Sequence, residues 1–188
     1  MDRVGIGVAV NLSGGYVTRG TNAVSPFERN ERLADAVAPG RFVQYMNLDY
    51  RDWDEPDFSA RAVQQVEEGH RLGAAGLKEY KRLGLYQKDR AGKLIKIDDP
   101  KLDAAWKRCG ELGMPVSIHV ADPRAFWLPY DESNERWKEL KDHKSWWFGD
   151  TNKSRPWMPR DHAVQRFQQY HARRIFIRIS EPPTFVIL

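Results

Sequence analysis

Between Asp99 and Pro123 the chain reads as a capped helix running straight into a strand, and that order restricts the fold more than any other feature. Asp99 is a helix cap with Pro100 at the first helical position, where a missing N–H costs nothing. Leu102, Ala105, Trp106, Cys109 and Leu112 form one apolar stripe, and Gly113 stops the helix. Met114-Pro-Val-Ser-Ile-His-Val-Ala-Asp-Pro123 then alternates. Val116, Ile118 and Val120 take one face; Ser117, His119 and Ala121 take the other. A helix followed at once by a strand, with a long connection after it, suits a parallel strand whose apolar face meets helices. His119 falls near the carboxyl end of that strand, on its polar face. A histidine there is either a satisfied core residue or part of a site, since chemistry gathers at the carboxyl ends of such strands.

The rest of the chain repeats the unit. Val4 to Leu12 alternates, with Val4, Ile6, Val8 and Val10 on one face, small residues on the other, and Asn11 near the carboxyl end. Asn30 to Val37 reads as a short helix with Leu33, Ala34 and Val37 as its buried stripe, stopped by Pro39-Gly40. Arg41 to Tyr50 is the second strand, apolar on both parities, with Asn47 and Asp49 near its end. Asp57 is expected to cap a helix that runs through Leu72 to the Gly73 stop. Ala75 to Lys81 is a short strand on which Lys78 opposes Leu77. A lysine on that parity either reaches solvent at the strand end or is paired or chemically used inside. Tyr86 to Ile97 reads as a hairpin about Arg90-Ala-Gly92. Asp161 to Arg173 reads as a last helix, followed by strand-like runs at Arg174 to Ser180 and at the terminal apolar residues to Leu188. Strand and helix alternating in this way specify a parallel α/β fold of about five strands.

The segment Arg124 to Pro159 breaks the alternation. It is too long for an ordinary connection and carries Trp127, Trp137, Trp146 and Trp147. It is a lid, a subunit contact, or a satellite cluster packing on itself. Composition excludes several classes. No apolar run is long enough for a membrane span, and no basic region followed by an apolar stretch marks a signal peptide. The net charge of +4 comes from bases scattered among acids, not gathered in a stripe, which argues against nucleic acid. One cysteine, Cys109, rules out an internal disulfide, and a cytoplasmic setting is the expectation.

The succession Gly76-Leu-Lys-Glu-Tyr-Lys, the capped helix ending Glu111-Leu-Gly-Met-Pro, and Val116-Ser-Ile-His-Val-Ala-Asp122 resembles the middle of the amidohydrolase-related superfamily. The closest branch includes aminocarboxymuconate-semialdehyde decarboxylase and other metal-dependent hydrolases. The resemblance runs from about Val4 to Asp150 and fades from about Ser154. It implies a partial (β/α)8 TIM-type barrel in one domain, residues 1–188, with the aromatic insertion after the His119 strand. It implies zinc or another divalent metal, with His119 as the strand-five ligand. Lys78 takes the strand-four place, and Asn11, Asp49, Lys78 and Asp122 line the same mouth under Trp127, Trp146 and Trp147. It implies a metal-activated water attacking a carbonyl or amide carbon, or a metal-assisted decarboxylation. The substrate would be a small molecule with a carbonyl, amide or carboxylate group. No catalytic residue is assigned.

The chain departs from the family pattern. It has no HxH pair, and its five histidines are His70, His119, His143, His162 and His171. The strand-six histidine and strand-eight aspartate have no counterpart. A complete barrel takes about 250 residues, against 188 here. Weak or absent metal binding and an inactive or incomplete enzyme are therefore expected, as a truncated or frameshifted gene would give. The alternative is a non-catalytic remnant or interaction module that associates, with itself or another chain, through exposed sheet edges.

Overall fold

The structure is a computed structural model that describes residues 1–19, 24–80, 82–83, 87–119, 123–147 and, as backbone, 185–187. Its five strands are β1 (Ala9–Asn11), β2 (Phe42–Met46), β3 (Gly76–Glu79), β4 (Val116–Ile118) and β5 (Phe185–Ile187). They form one sheet in chain order, and every pairing is parallel. Helices α1 (Pro26–Val37), α2 (Phe58–Arg71) and α3 (Asp103–Glu111) connect the first four strands, and α4 (Trp137–Leu140) lies in the insertion. Unbroken sequential order with a helix between each of the first four strands is the pattern of half of a (β/α)8 barrel.

The register separates the two faces. Met46 pairs with Leu77, and Leu77 with Val116, so these three share one face. That face meets the helices: the Met46 sulfur lies where a Cβ on Gly69 of α2 would stand, 2.2 Å away. Leu77, Val116, Ile118, Ala62, Val66, Ala105, Trp106 and Cys109 complete a core between α2, α3 and the sheet. The opposite face carries Gly76 and Lys78 beside Ser117, with Tyr45 in register with Gly76.

Local chemistry explains the helix ends. The Asp99 carboxylate accepts from the Lys101 N–H at 3.0 Å and caps a 3-10 turn that leads directly into α3. Gly113 closes that helix at φ 66°, a left-handed conformation that glycine adopts without strain. Gly73 does the same after α2 at φ 97°. Asp57 does not cap α2: its carboxylate pairs with Arg61 instead.

Three expectations need correction at the amino-terminal edge. Only Ala9–Asn11 of the Val4–Leu12 run is strand, and residues 2–4 form a 3-10 turn. Val4, Ile6, Val8 and Val10 are exposed, because β1 is the sheet edge and no described element packs on them. Helix α1 begins four residues before its expected start, at Pro26, with the Ser25 hydroxyl accepting from the Glu28 N–H at 3.1 Å. It is anchored by Phe27, while Leu33 and Val37 are 60% and 74% exposed. The hairpin reduces to one antiparallel bridge, Lys88 to Leu94. The expected helix at 161–173 and strand at 174–180 lie outside the described residues. The strand beside β4 is the terminal one, with Val116 paired to Phe185.

Candidate functional site

The loops that follow β1, β2 and β3 enclose a cavity of about 540 Å3 at the carboxyl ends of those strands. Asn47, Asp49, Tyr50, Lys78, Glu79 and Tyr80 line it, with Gly14 and Gly15 from the loop after β1. Asn47 builds the wall. Its Nδ2 donates to the Lys78 carbonyl at 2.8 Å, its Oδ1 accepts from the Tyr16 N–H at 2.9 Å, and its own N–H donates to the Tyr16 carbonyl. One side chain thereby ties the β1 loop to β2 and β3. The Tyr80 hydroxyl donates to the Leu12 carbonyl and pins the same loop from the other side.

Asp49 is held equally firmly. Its N–H donates to Gln65 Oε1 at 2.8 Å, and its carboxylate accepts from the Arg51 N–H and guanidinium. Burial opposes its ionisation, but the Arg51 hydrogen bonds outweigh burial and keep the carboxyl below its ordinary range. Asp49 is thus a fixed, paired anion.

Lys78 is the group left over. It is 3% exposed, and its Nζ has no hydrogen-bond partner among the described residues. The Tyr80 ring lies 5.7 Å from it at the centroid. Burial pulls the amine down to about 8, although the Glu79 charge opposes this. Glu79 points to the other side of β3, and its Oε1 is buried without a partner. Burial pushes its carboxyl up to about 8, and the neighbouring Tyr50 hydroxyl and Lys78 charge do not outweigh that. Burial thus holds Glu79 toward its neutral acid form and weakens it as a counter-charge for Lys78. Ser117 Oγ, in register with Lys78 on the next strand, is a second buried oxygen without a partner.

The predicted site residues divide. Lys78 and Asp49 line the cavity. Asn11 does not: it pairs in register with Gln44 and bonds the Gln44 side chain at 2.7 Å. Gln44 has the parity of Met46, so Asn11 falls on the helix side. His119 is half-buried, and its N–H donates to the Glu79 carbonyl at 3.0 Å, extending the β3–β4 ladder. Alternation gives it the face of Ser117 and Lys78, but it is not among the cavity-lining residues. Asp122 lies outside the described residues. Trp127, Trp146 and Trp147 do not line the cavity either. Phe126 and Leu140 instead form a second small core, against which Trp127, Tyr130 and Trp147 pack. The Trp147 Nε1 donates to the Leu128 carbonyl at 2.7 Å, and Trp146 stacks on His143 at 4.3 Å between centroids. Glu79, Tyr50 and Tyr80 were not named from sequence. A Lys-Glu pair inside a four-residue strand was the available signal, because one of the two must face the helices.

No group of three or more His, Cys, Asp or Glu side chains that could hold a metal exists among the described residues. Zinc needs about three protein ligands, and Asp49 is already committed to Arg51. The described residues do not fit the metal that the resemblance implies.

No protein-family model matches the chain, and no curated protein matches it. Two kinds of solved structure match the chain in fold. A protein from Staphylococcus aureus described as an amidohydrolase matches with TM-score 0.49 and 18% identity over 94% of this chain and 52% of that one. 2,6-Dihydroxybenzoate decarboxylase from Rhizobium, whose structure is also known with 2,6-dihydroxybenzoate, matches with TM-score 0.47 and 20% identity over 86% of this chain and 42% of that one. The chain thus spans about half the length of the structures it matches. No described helix is long and apolar enough to cross a membrane.

Proposed function

We propose that residues 1–188 form one domain of an amidohydrolase-type barrel, and that its cavity binds a small molecule through a carbonyl, amide or carboxylate oxygen. The observation that carries this reading is the Lys78 amine, buried at the cavity wall with no hydrogen-bond acceptor among the described residues. A buried cation without a partner is costly, and an anionic or polarised oxygen in the cavity relieves that cost. Asn47 and Asp49 act as positioning residues, since their polar atoms are spent on holding the loops. Hydrolysis or decarboxylation by a bound metal is the activity that goes with the barrel class. His119 is its candidate ligand, and Asp122 a candidate site residue. The described residues do not supply a metal's ligand set. A cytoplasmic setting goes with the same reading.

Calorimetric titration with benzoate tests the cavity. Saturable binding is expected, weakened at least about tenfold in Lys78→Met through loss of the charge-assisted hydrogen bond. Absence of binding, or equal binding by both proteins, would refute the reading. A second reading, a non-catalytic interaction module derived from such a barrel, is favoured by the exposed Val4, Ile6, Val8 and Val10 along the β1 edge. It predicts concentration-dependent self-association in sedimentation, abolished by Val8→Lys and Val10→Lys together.

A further inference from the structure

We infer that Lys78 is a covalent carbonyl trap: its amine forms a Schiff base with a small aldehyde or ketone that enters the cavity at the ends of β2 and β3. The inference rests on the cavity reading above and extends it from reversible contact to bond formation.

The geometry supplies what the reaction needs. The amine is fixed at the wall of a cavity of about 540 Å3, large enough for a small carbonyl compound. Among the described residues it has no hydrogen bond to break before it attacks. No described carboxylate is bonded to it: Asp49 is turned to Arg51, and Glu79 lies on the other face of its own strand. The Tyr80 ring, at 5.7 Å, stabilises positive charge and serves the iminium as it serves the ammonium. Burial also leaves a larger share of this amine uncharged near neutral pH than an exposed lysine has, because it draws the group down to about 8.

The chemistry balances without a further reagent. The free amine adds to the carbonyl carbon, a C–N bond forms, and the carbonyl π pair moves to oxygen. Nitrogen releases a proton and oxygen takes one, giving a carbinolamine. Its hydroxyl, protonated from solvent, leaves as water while the nitrogen lone pair closes the C=N bond. The amine, the carbonyl and one proton from solvent become the iminium and one water, with no change of oxidation state. Asn47, bonded to the Lys78 carbonyl, is the positioning residue that holds this backbone to β2.

The test uses 4-carboxybenzaldehyde with sodium borohydride on the full chain, followed by peptide mapping. One reduced adduct on Lys78 is expected, forming about tenfold or more faster at pH 7 than on exposed lysines such as Lys93, and rising toward its plateau near pH 8. Lys78→Arg should remove this adduct and leave the slow surface labelling. Labelling of Lys78 no faster than of Lys93 would overturn the inference. If benzoate still binds in that case, only the covalent step falls. If benzoate does not bind either, the cavity reading falls with it.

Discussion

Gly76 shows how tightly one residue is specified at the start of β3. A Cβ there would stand 2.3 Å from the Tyr45 ring and 2.7 Å from the Pro115 carbonyl oxygen. The ring has some freedom to move, but the carbonyl belongs to the ladder that receives the Leu77 N–H at 2.9 Å and does not. Gly76→Ala is therefore expected to destabilise the fold by about 1–3 kcal/mol, the usual range for overpacking. Urea denaturation followed by circular dichroism would show it as a lower midpoint at unchanged slope; an unchanged midpoint would mean that Pro115 gives way. Residue-scale chemistry was partly legible in the sequence. Strand parity alone put Lys78 opposite Leu77, and burial made that parity consequential. Glu79 went unread because the apolar-versus-polar contrast marks one face of a strand only, and Glu79 is a polar residue on the helix side. The family resemblance puts Asn11 in the mouth, but its in-register partner Gln44 carries it to the other face. Which parity faces inward is a tertiary fact that an isolated three-residue strand does not encode.

At the scale of elements, turn and cap chemistry was the readable part. Gly73 and Gly113 stop their helices where the sequence places them, because no other residue takes positive φ as cheaply. Asp99 caps, whereas Asp57 has a competing Arg61 one turn on and uses its carboxylate there. The apolar stripe of Leu33, Ala34 and Val37 misplaces the start of α1, because the fold leaves Leu33 and Val37 outside. The signal that fixes α1 is the short run Ser25-Pro-Phe-Glu28, with its cap, its proline at the first helical position and its buried Phe27. Ser25→Ala should cost about 1 kcal/mol, as removal of a hydroxyl cap generally does. Thermal denaturation would register the loss, and full retention of stability would show that the Glu28 N–H finds another acceptor. The tryptophans illustrate a second limit. Their number announced a cluster, but composition does not say whether aromatic rings pack on a cavity or on one another. Tyr130, at 5.0 Å from the Trp137 centroid and 5.2 Å from that of Trp147, is where they gather.

For the molecule as a whole, the cavity wall ties stability to pH in an unusual order. Glu79 has its folded value raised from 4.5 to about 8, so the folded protein keeps a proton that the unfolded chain has lost. Its contribution is fully present below pH 4.5 and declines as pH rises to about 8. Glu31, raised by burial and by Asp35, adds to the decline in the same direction. Lys78 has its folded value lowered from 10.5 to about 8, so its penalty is full at low pH and is relieved as pH climbs above 8. Asp49 and Asp52 do not enter this window, because both are lowered and titrate below 3.8. Cys109, raised from 9.0 to about 12, and Tyr50, raised well above 10.0, turn the slope downward again in the alkaline range. Denaturation midpoints should therefore fall between pH 5 and 8, recover over the narrow interval from about 8 to 9, and then level or fall. Glu79→Gln keeps a neutral side chain of the same shape and should flatten much of the first decline, while Lys78→Met should erase the recovery and leave that decline in place. A Glu79→Gln profile parallel to the unmodified protein from pH 5 to 8 would mean that Glu79 is already ionised in the fold, and that Lys78 has the counter-charge it is argued to lack.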